Sequence, residues 1–148
     1  MFEIRTEIEI EATPPRVWRA LTDFKTFPDW NPFVLAVEGE PKKGARLKVT
    51  LRTAGGGDMT FRPRVLAADE GRELRWRGRL LLPGVFDGEH YFEVSELSTG
   101  RSRLVQGERF SGLLVPWLQR GLESNTRSGF MAMNRAVKRR LERRPLYA

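Results

Sequence analysis

An α+β fold, with a curved antiparallel sheet of about seven strands wrapped around one long C-terminal helix, is what this 148-residue sequence predicts. Three observations carry that expectation. From Leu113 to Arg144 apolar or small residues recur at helical spacing, with charges on the opposite stripe and no proline between Pro116 and Pro145. Residues 2–12 and most of 33–111 alternate in character or run as short apolar stretches between glycine and proline turns, as strands do. The connections between those strands are short, which favours antiparallel pairing. A helix of about 42 Å needs one large surface to lie on, and a sheet curled around it buries every apolar face.

The first strand, 2–12, sets Phe2, Ile4, Ile8, Ile10 and Ala12 against Glu3, Arg5, Glu7, Glu9 and Glu11. Thr13-Pro14-Pro15 stops it and begins a helix, with Thr13 as N-cap, Pro14 at the first helical position and Val17, Trp18 and Leu21 as the apolar stripe. A second short helix starts near Asp23 and ends before Pro28. The segment Phe27-Pro28-Asp29-Trp30-Asn31-Pro32-Phe33 is too rich in proline to continue it, and Trp30 and Asn31 read as turn-forming residues. Six strands follow, at 33–40, 45–53, 58–68, 72–82, 86–97 and 101–111. They are separated by Pro41 to Gly44, Ala54-Gly55-Gly56-Gly57, Asp69-Glu70-Gly71, Pro83-Gly84 and Ser98-Thr99-Gly100.

Length and composition suit a single domain spanning 1–148. With no cysteine the chain has no disulfide, thiolate chemistry or cysteine metal site, and a single histidine argues further against a metal. The N-terminus lacks the apolar run of a signal peptide and no segment is long enough to span a bilayer, so a cytoplasmic protein is expected. The net charge of +7 comes from dispersed arginines without an aromatic-rich basic motif, which argues against a nucleic-acid partner. No nucleotide or dinucleotide fingerprint and no Gly-x-Ser-x-Gly elbow occurs, so no cofactor is expected.

The order of elements, the stretch Val17-Trp18-Arg19-Ala20-Leu21-Thr22-Asp23 followed by Phe27 to Phe33, and Gly107-Glu108-Arg109-Phe110-Ser111-Gly112-Leu113 running into the last helix resemble the SRPBCC, or START-like, superfamily. The similarity is greatest to its polyketide cyclase/dehydratase and lipid-transport subgroup, and it covers essentially the whole chain. It implies a helix-grip fold with an apolar cavity between sheet and C-terminal helix, in proteins that range from carriers to cyclases. The iron-binding histidine pairs of the superfamily's ring-hydroxylating oxygenases cannot form here with one histidine.

The hairpin formed by 86–97 and 101–111 carries the polar residues of interest. A three-residue loop Ser98-Thr99-Gly100 sets Leu97 opposite Arg101, Val94 opposite Leu104, Phe92 opposite Gln106 and His90 opposite Glu108. Val94, Leu104 and Phe92 mark that face as the inner one, so a histidine, an amide and a carboxylate line up where the surroundings are apolar. A buried carboxylate without a partner is costly, and Glu108 must find His90, an arginine, water or a ligand. His90 and Glu108 are therefore the candidate acid/base pair as well as candidate ligand contacts.

Trp76, Phe92, Gln106, Phe110 and Trp117 are the other candidate contacts from sheet and helix start, with Gly121, Asn125 and Gly129 facing them from the last helix. Those three small residues sit where a tight core would carry leucine, which suggests that the helix stands over a space. On that expectation Gly129→Leu fills the space and leaves the fold intact. Three functions follow: binding of a small hydrophobic or amphipathic ligand; a cyclase/dehydratase-like enzyme in the same cavity; or a co-chaperone-like interaction module whose basic helix face meets an acidic protein.

Overall fold

The computed structural model describes residues 1–53, 56–80 and 84–143. The chain runs β1 (Phe2–Ile10), α1 (Pro14–Thr22), a single 3₁₀ turn, α2 (Phe27–Trp30), β2 (Val34–Glu38), β3 (Lys48–Arg52), β4 (Asp58–Phe61), β5 (Arg64–Asp69), β6 (Glu73–Leu80), β7 (Phe86–Ser98) and β8 (Arg101–Ser111). A helical run then extends from α3 (Val115–Gly121) through a π-helical turn, Leu122–Thr126, into α4 (Arg127–Glu142). This is the α+β helix-grip arrangement. Ala54 and Gly55 of the predicted glycine loop, Leu81 to Pro83 of the predicted strand end and turn, and Arg144 at the predicted helix end lie outside the described residues.

Five strands pair in the order β1-β8-β7-β6-β5, and β2-β3-β4 form a second sheet. The predicted strand 58–68 is two strands. Pro63 has no N–H to give to a ladder, and at Arg62-Pro63 the chain leaves β3 as its neighbour and turns to β6. The two sheets are joined there: Leu47 N donates to the Pro63 carbonyl at 2.9 Å, and Val65 N to the Ala45 carbonyl at 2.8 Å. Asn31 caps the entry to β2, its Oδ1 accepting from Phe33 N at 3.0 Å and Val34 N at 2.9 Å.

The last helix holds down the free edge of the larger sheet. Phe130, Met133, Asn134, Ala136 and Val137 of α4 are buried. From its flank Arg127 Nη1 donates to the Arg5 carbonyl at 3.2 Å, Lys138 Nζ to the Glu9 carbonyl at 2.9 Å, and Glu142 Oε2 accepts from Glu11 N at 2.8 Å. These bonds occupy backbone groups along β1 and at the residue just past its end, groups that an edge otherwise leaves open to another chain. On the outer face Tyr91 reaches across Gly107 to donate to Glu3 Oε2 at 2.7 Å. That hydrogen bond, opposed by desolvation and helped by Arg109, holds the Glu3 carboxyl below its usual value.

The π turn changes which helix residues face the sheet. Gly121 is a weak helix former, and Ser124 Oγ lies 3.4 Å from both the Arg120 and Gly121 carbonyls, competing for the acceptors of the preceding turn. The wider turn adds residues without the usual rotation, so a single 3.6-residue stripe cannot be carried from Leu114 to Leu141.

Candidate functional site

Between the curved sheets and the π turn lies a cavity of about 160 Å³. Phe33, Leu51 and Phe61 from the smaller sheet and its approach, and Trp76, Phe86 and Phe110 from the larger one, give it apolar walls. Leu122, Asn125 and Thr126 of the π turn close one side, and the exposed residues Arg52, Thr53, Met59 and Arg79 lie where the cavity meets solvent. Two strand glycines make the room. A side chain at Gly78 would meet the Phe61 ring, and one at Gly88 would collide with the Glu108 carboxylate.

Glu108 enters this space from β8, and behind it runs a continuous hydrogen-bonded chain. His90 Nδ1 is 2.9 Å from Glu108 Oε1, and His90 Nε2 is 3.1 Å from Gln106 Oε1. Gln106 Nε2 donates to Asn134 Oδ1 at 2.7 Å and to the Phe130 carbonyl at 3.3 Å. Asn134 Nδ2 donates to Thr6 Oγ1 at 2.9 Å, and the Thr6 hydroxyl donates to the Gln106 carbonyl at 2.8 Å. Thr6, His90, Gln106 and Asn134 are all buried. Full satisfaction is what makes such a network tolerable in the core.

The direction of every bond from Thr6 to His90 Nε2 is fixed from two backbone carbonyls, which can only accept. The Gln106 carbonyl takes the Thr6 hydroxyl hydrogen, so Thr6 Oγ1 must accept from the Asn134 amide, and Asn134 Oδ1 must accept from Gln106. The Phe130 carbonyl fixes the Gln106 amide nitrogen on the same side. Gln106 Oε1 therefore faces His90, whose Nε2 must carry a hydrogen. With Nε2 protonated, the contact between Nδ1 and Glu108 Oε1 needs one further proton, held by either atom. Trp76 stacks on the imidazole with centroids 5.2 Å apart, and Phe130 meets it edge-on at 4.9 Å, so the ring is fixed in orientation.

The sequence model of the family described as polyketide cyclase/dehydrase and lipid transport matches residues 1–144. The chain belongs to that family. No curated protein sequence matches it. Among solved structures it is similar to the Zhui aromatase/cyclase from Streptomyces sp. R1128, at 22% identity and a TM-score of 0.79 over 97% of this chain and 94% of that one. A START superfamily protein from Mycobacterium smegmatis gives 17% identity and a TM-score of 0.72 over 95% and 97%. The di-domain aromatase/cyclase BexL of the BE-7585A biosynthetic pathway gives 17% identity and a TM-score of 0.73. That match covers 93% of this chain and 46% of BexL, so the chain spans about half the length of the di-domain protein. At these identities the likeness is one of fold.

In this member of the family the expected contacts divide into three groups. Trp76, Glu108, Phe110 and Asn125 line the cavity. His90, Phe92 and Gln106 stand behind that lining, 4%, 1% and 0% exposed, so the histidine and the amide reach the cavity only through Glu108. Trp117 and Gly121 face outward. Trp117 is 85% exposed, and a side chain at Gly121 would meet nothing nearer than Asn125 Nδ2 at 4.0 Å. Gly129 does not look onto space: a Cβ there would run into the Phe33 ring, which lies directly on the helix backbone.

The predicted hairpin register is observed for Val94–Leu104, Phe92–Gln106 and His90–Glu108, with a different turn. Ser98 pairs with Arg101 and Leu97 is bulged, so a two-residue loop plus one extra strand residue gives the same offset as the three-residue loop expected. Thr6, Gly88 and Asn134 were missing from the sequence reading. Thr6 shares the phase of Ile4 and Ile8, and Asn134 follows Phe130 by one helical turn, so periodicity could have placed both inside. Arg62, Arg64 and Arg77 lie on the outer surface with Arg46 and Arg79 around a separate depression, and Arg75 lies over the Tyr91 ring.

Proposed function

We propose that this protein binds a small hydrophobic or amphipathic molecule in the cavity between sheet and C-terminal helix. The observation that carries the reading is a cavity with mostly apolar walls into which the Glu108 carboxylate projects, backed by a satisfied network. Pockets that hold small organic molecules have this composition, mostly apolar with a few placed polar atoms. The family's description, which joins cyclase/dehydrase and lipid transport, supports it at the level of ligand class.

The test is a titration with N-phenyl-1-naphthylamine, an apolar fluorescent probe, against the protein and Asn125→Phe. Asn125 lines the cavity yet is exposed, so the larger ring occupies the space without overpacking the core. Saturable binding is expected in the parent protein and binding weaker by about tenfold or more in the variant, with the thermal melt unchanged. No saturable binding, or equal binding by both, contradicts the reading.

One observation favours an enzymatic reading beside it. Glu108 Oε2 with His90 behind Oε1 is placed as a general base. Oε2 would take a proton from a carbon or hydroxyl of the ligand as that bond breaks. The proton already shared with His90 would then settle on Nδ1, leaving an imidazolium to balance the deprotonated ligand. Turnover of a polyketide-like substrate that is lost in His90→Ala while binding persists marks the enzyme; binding with no turnover in the parent protein, weakened by the same substitution, marks a carrier.

A further inference from the structure

Resting on the reading of the cavity as a ligand site, we infer that its ligand enters with a hydrogen-bond donor foremost, a hydroxyl or an N–H, and that this end docks on Glu108 Oε2. The network requires one proton between Glu108 Oε1 and His90 Nδ1, because His90 Nε2 already gives its hydrogen to Gln106. Whether that proton belongs to the carboxyl or to the imidazole, Oε2 carries lone pairs only. It is an acceptor in both states, and the pair has no net charge in either.

Oε2 is also left free by its surroundings. Among the described residues Oε2 makes no hydrogen bond, while Glu108 lines the cavity and is not sealed off from it. Gly88, directly beneath, has no side chain to cover it. A ligand hydroxyl supplies the hydrogen that this oxygen lacks. A ligand carboxylate at the same place would set one acceptor against another and leave both unsatisfied away from water.

Positive charge in the lining comes from elsewhere, from Arg52 and Arg79 among the exposed residues. An anionic group on the ligand is therefore accommodated toward solvent and excluded at the inner end. The ligand class is an aromatic-sized apolar molecule with a donor at one end, and with an acidic group, where it has one, at the other.

Calorimetric titrations of 2-naphthol, 2-naphthoate and 6-hydroxy-2-naphthoate near neutral pH test this, on the parent protein and on Glu108→Leu. The variant is expected to weaken the two hydroxyl compounds by about tenfold and to leave 2-naphthoate unchanged. Gly88→Ala, whose methyl displaces the far end of the Glu108 side chain, is expected to give the same pattern and serves if Glu108→Leu does not fold. Equal weakening of 2-naphthoate, or no effect on 2-naphthol, overturns the inference while leaving the ligand site standing. Failure of all three compounds to bind the parent protein overturns the site itself, and the inference with it.

Discussion

Gly129→Leu is expected to lower the melting temperature by several degrees. The Phe33 ring lies on the helix at this glycine, so even a Cβ would press on three of its ring atoms. The ring cannot easily move aside, since it is buried and packs edge-on against Phe130 with centroids 5.6 Å apart. Overpacking of this kind typically costs about 1–3 kcal/mol, which outweighs the gain of up to about 1 kcal/mol in helix propensity from removing a glycine. Gly121→Ala is the matched control. Its new methyl meets nothing closer than 4.0 Å, so propensity alone acts and the melt should rise slightly. A Gly129→Leu protein that melts at or above the parent would show that this glycine does not serve close packing.

Gln106→Leu is expected to be more damaging, by about 3 kcal/mol or more, because several buried groups lose their partners at once. The substitution removes the acceptor of His90 Nε2 and the donor to both Asn134 Oδ1 and the Phe130 carbonyl. Leucine fills much of the same volume, so the loss is polar and not a cavity term. Urea unfolding measures it, as a lower midpoint with an unchanged slope. A cost below about 1 kcal/mol would mean that the network is easily replaced by water or by apolar packing.

Much of this fold was legible before the structure. The β1 alternation, the Pro14 helix start, the Asn31 turn and the pairing of β7 with β8 are each set by local residues whose preferences agree with the tertiary arrangement. The candidate site was legible in part. His90, Gln106 and Glu108 came together because strand register is a local property carried across one tight turn. Their ranking could not be read: an alternating pattern says which face a residue takes, not whether it meets the cavity or lies behind another side chain.

The last helix misled for a physical reason. Gly121, Asn125 and Gly129 share one face only in an uninterrupted α-helix, and the π turn at Leu122–Thr126 removes that condition. Of the three, only Asn125 lines the cavity. Gly129 is small because Phe33 needs the surface, which makes it a shaper of the cavity wall at second hand. Division of the predicted strand 58–68 has a similar origin, since Pro63 was visible in the sequence while the change of neighbour that it permits depends on the second sheet.

Both the ligand site and its polarity depend on the direction of the proton chain behind Glu108, and the sequence offers a clean way to measure it. The chain has one histidine, so a nitrogen-15 correlation spectrum of imidazole resonances reports on His90 alone. At neutral pH a hydrogen is expected on Nε2, with Nδ1 sharing its proton with Glu108, and Nε2 is expected to stay protonated in Glu108→Leu. A neutral ring with its hydrogen on Nδ1 and a bare Nε2 would contradict it. Gln106 would then have to present its amide nitrogen to His90, and the order of donors derived from the Phe130 and Gln106 carbonyls would be wrong.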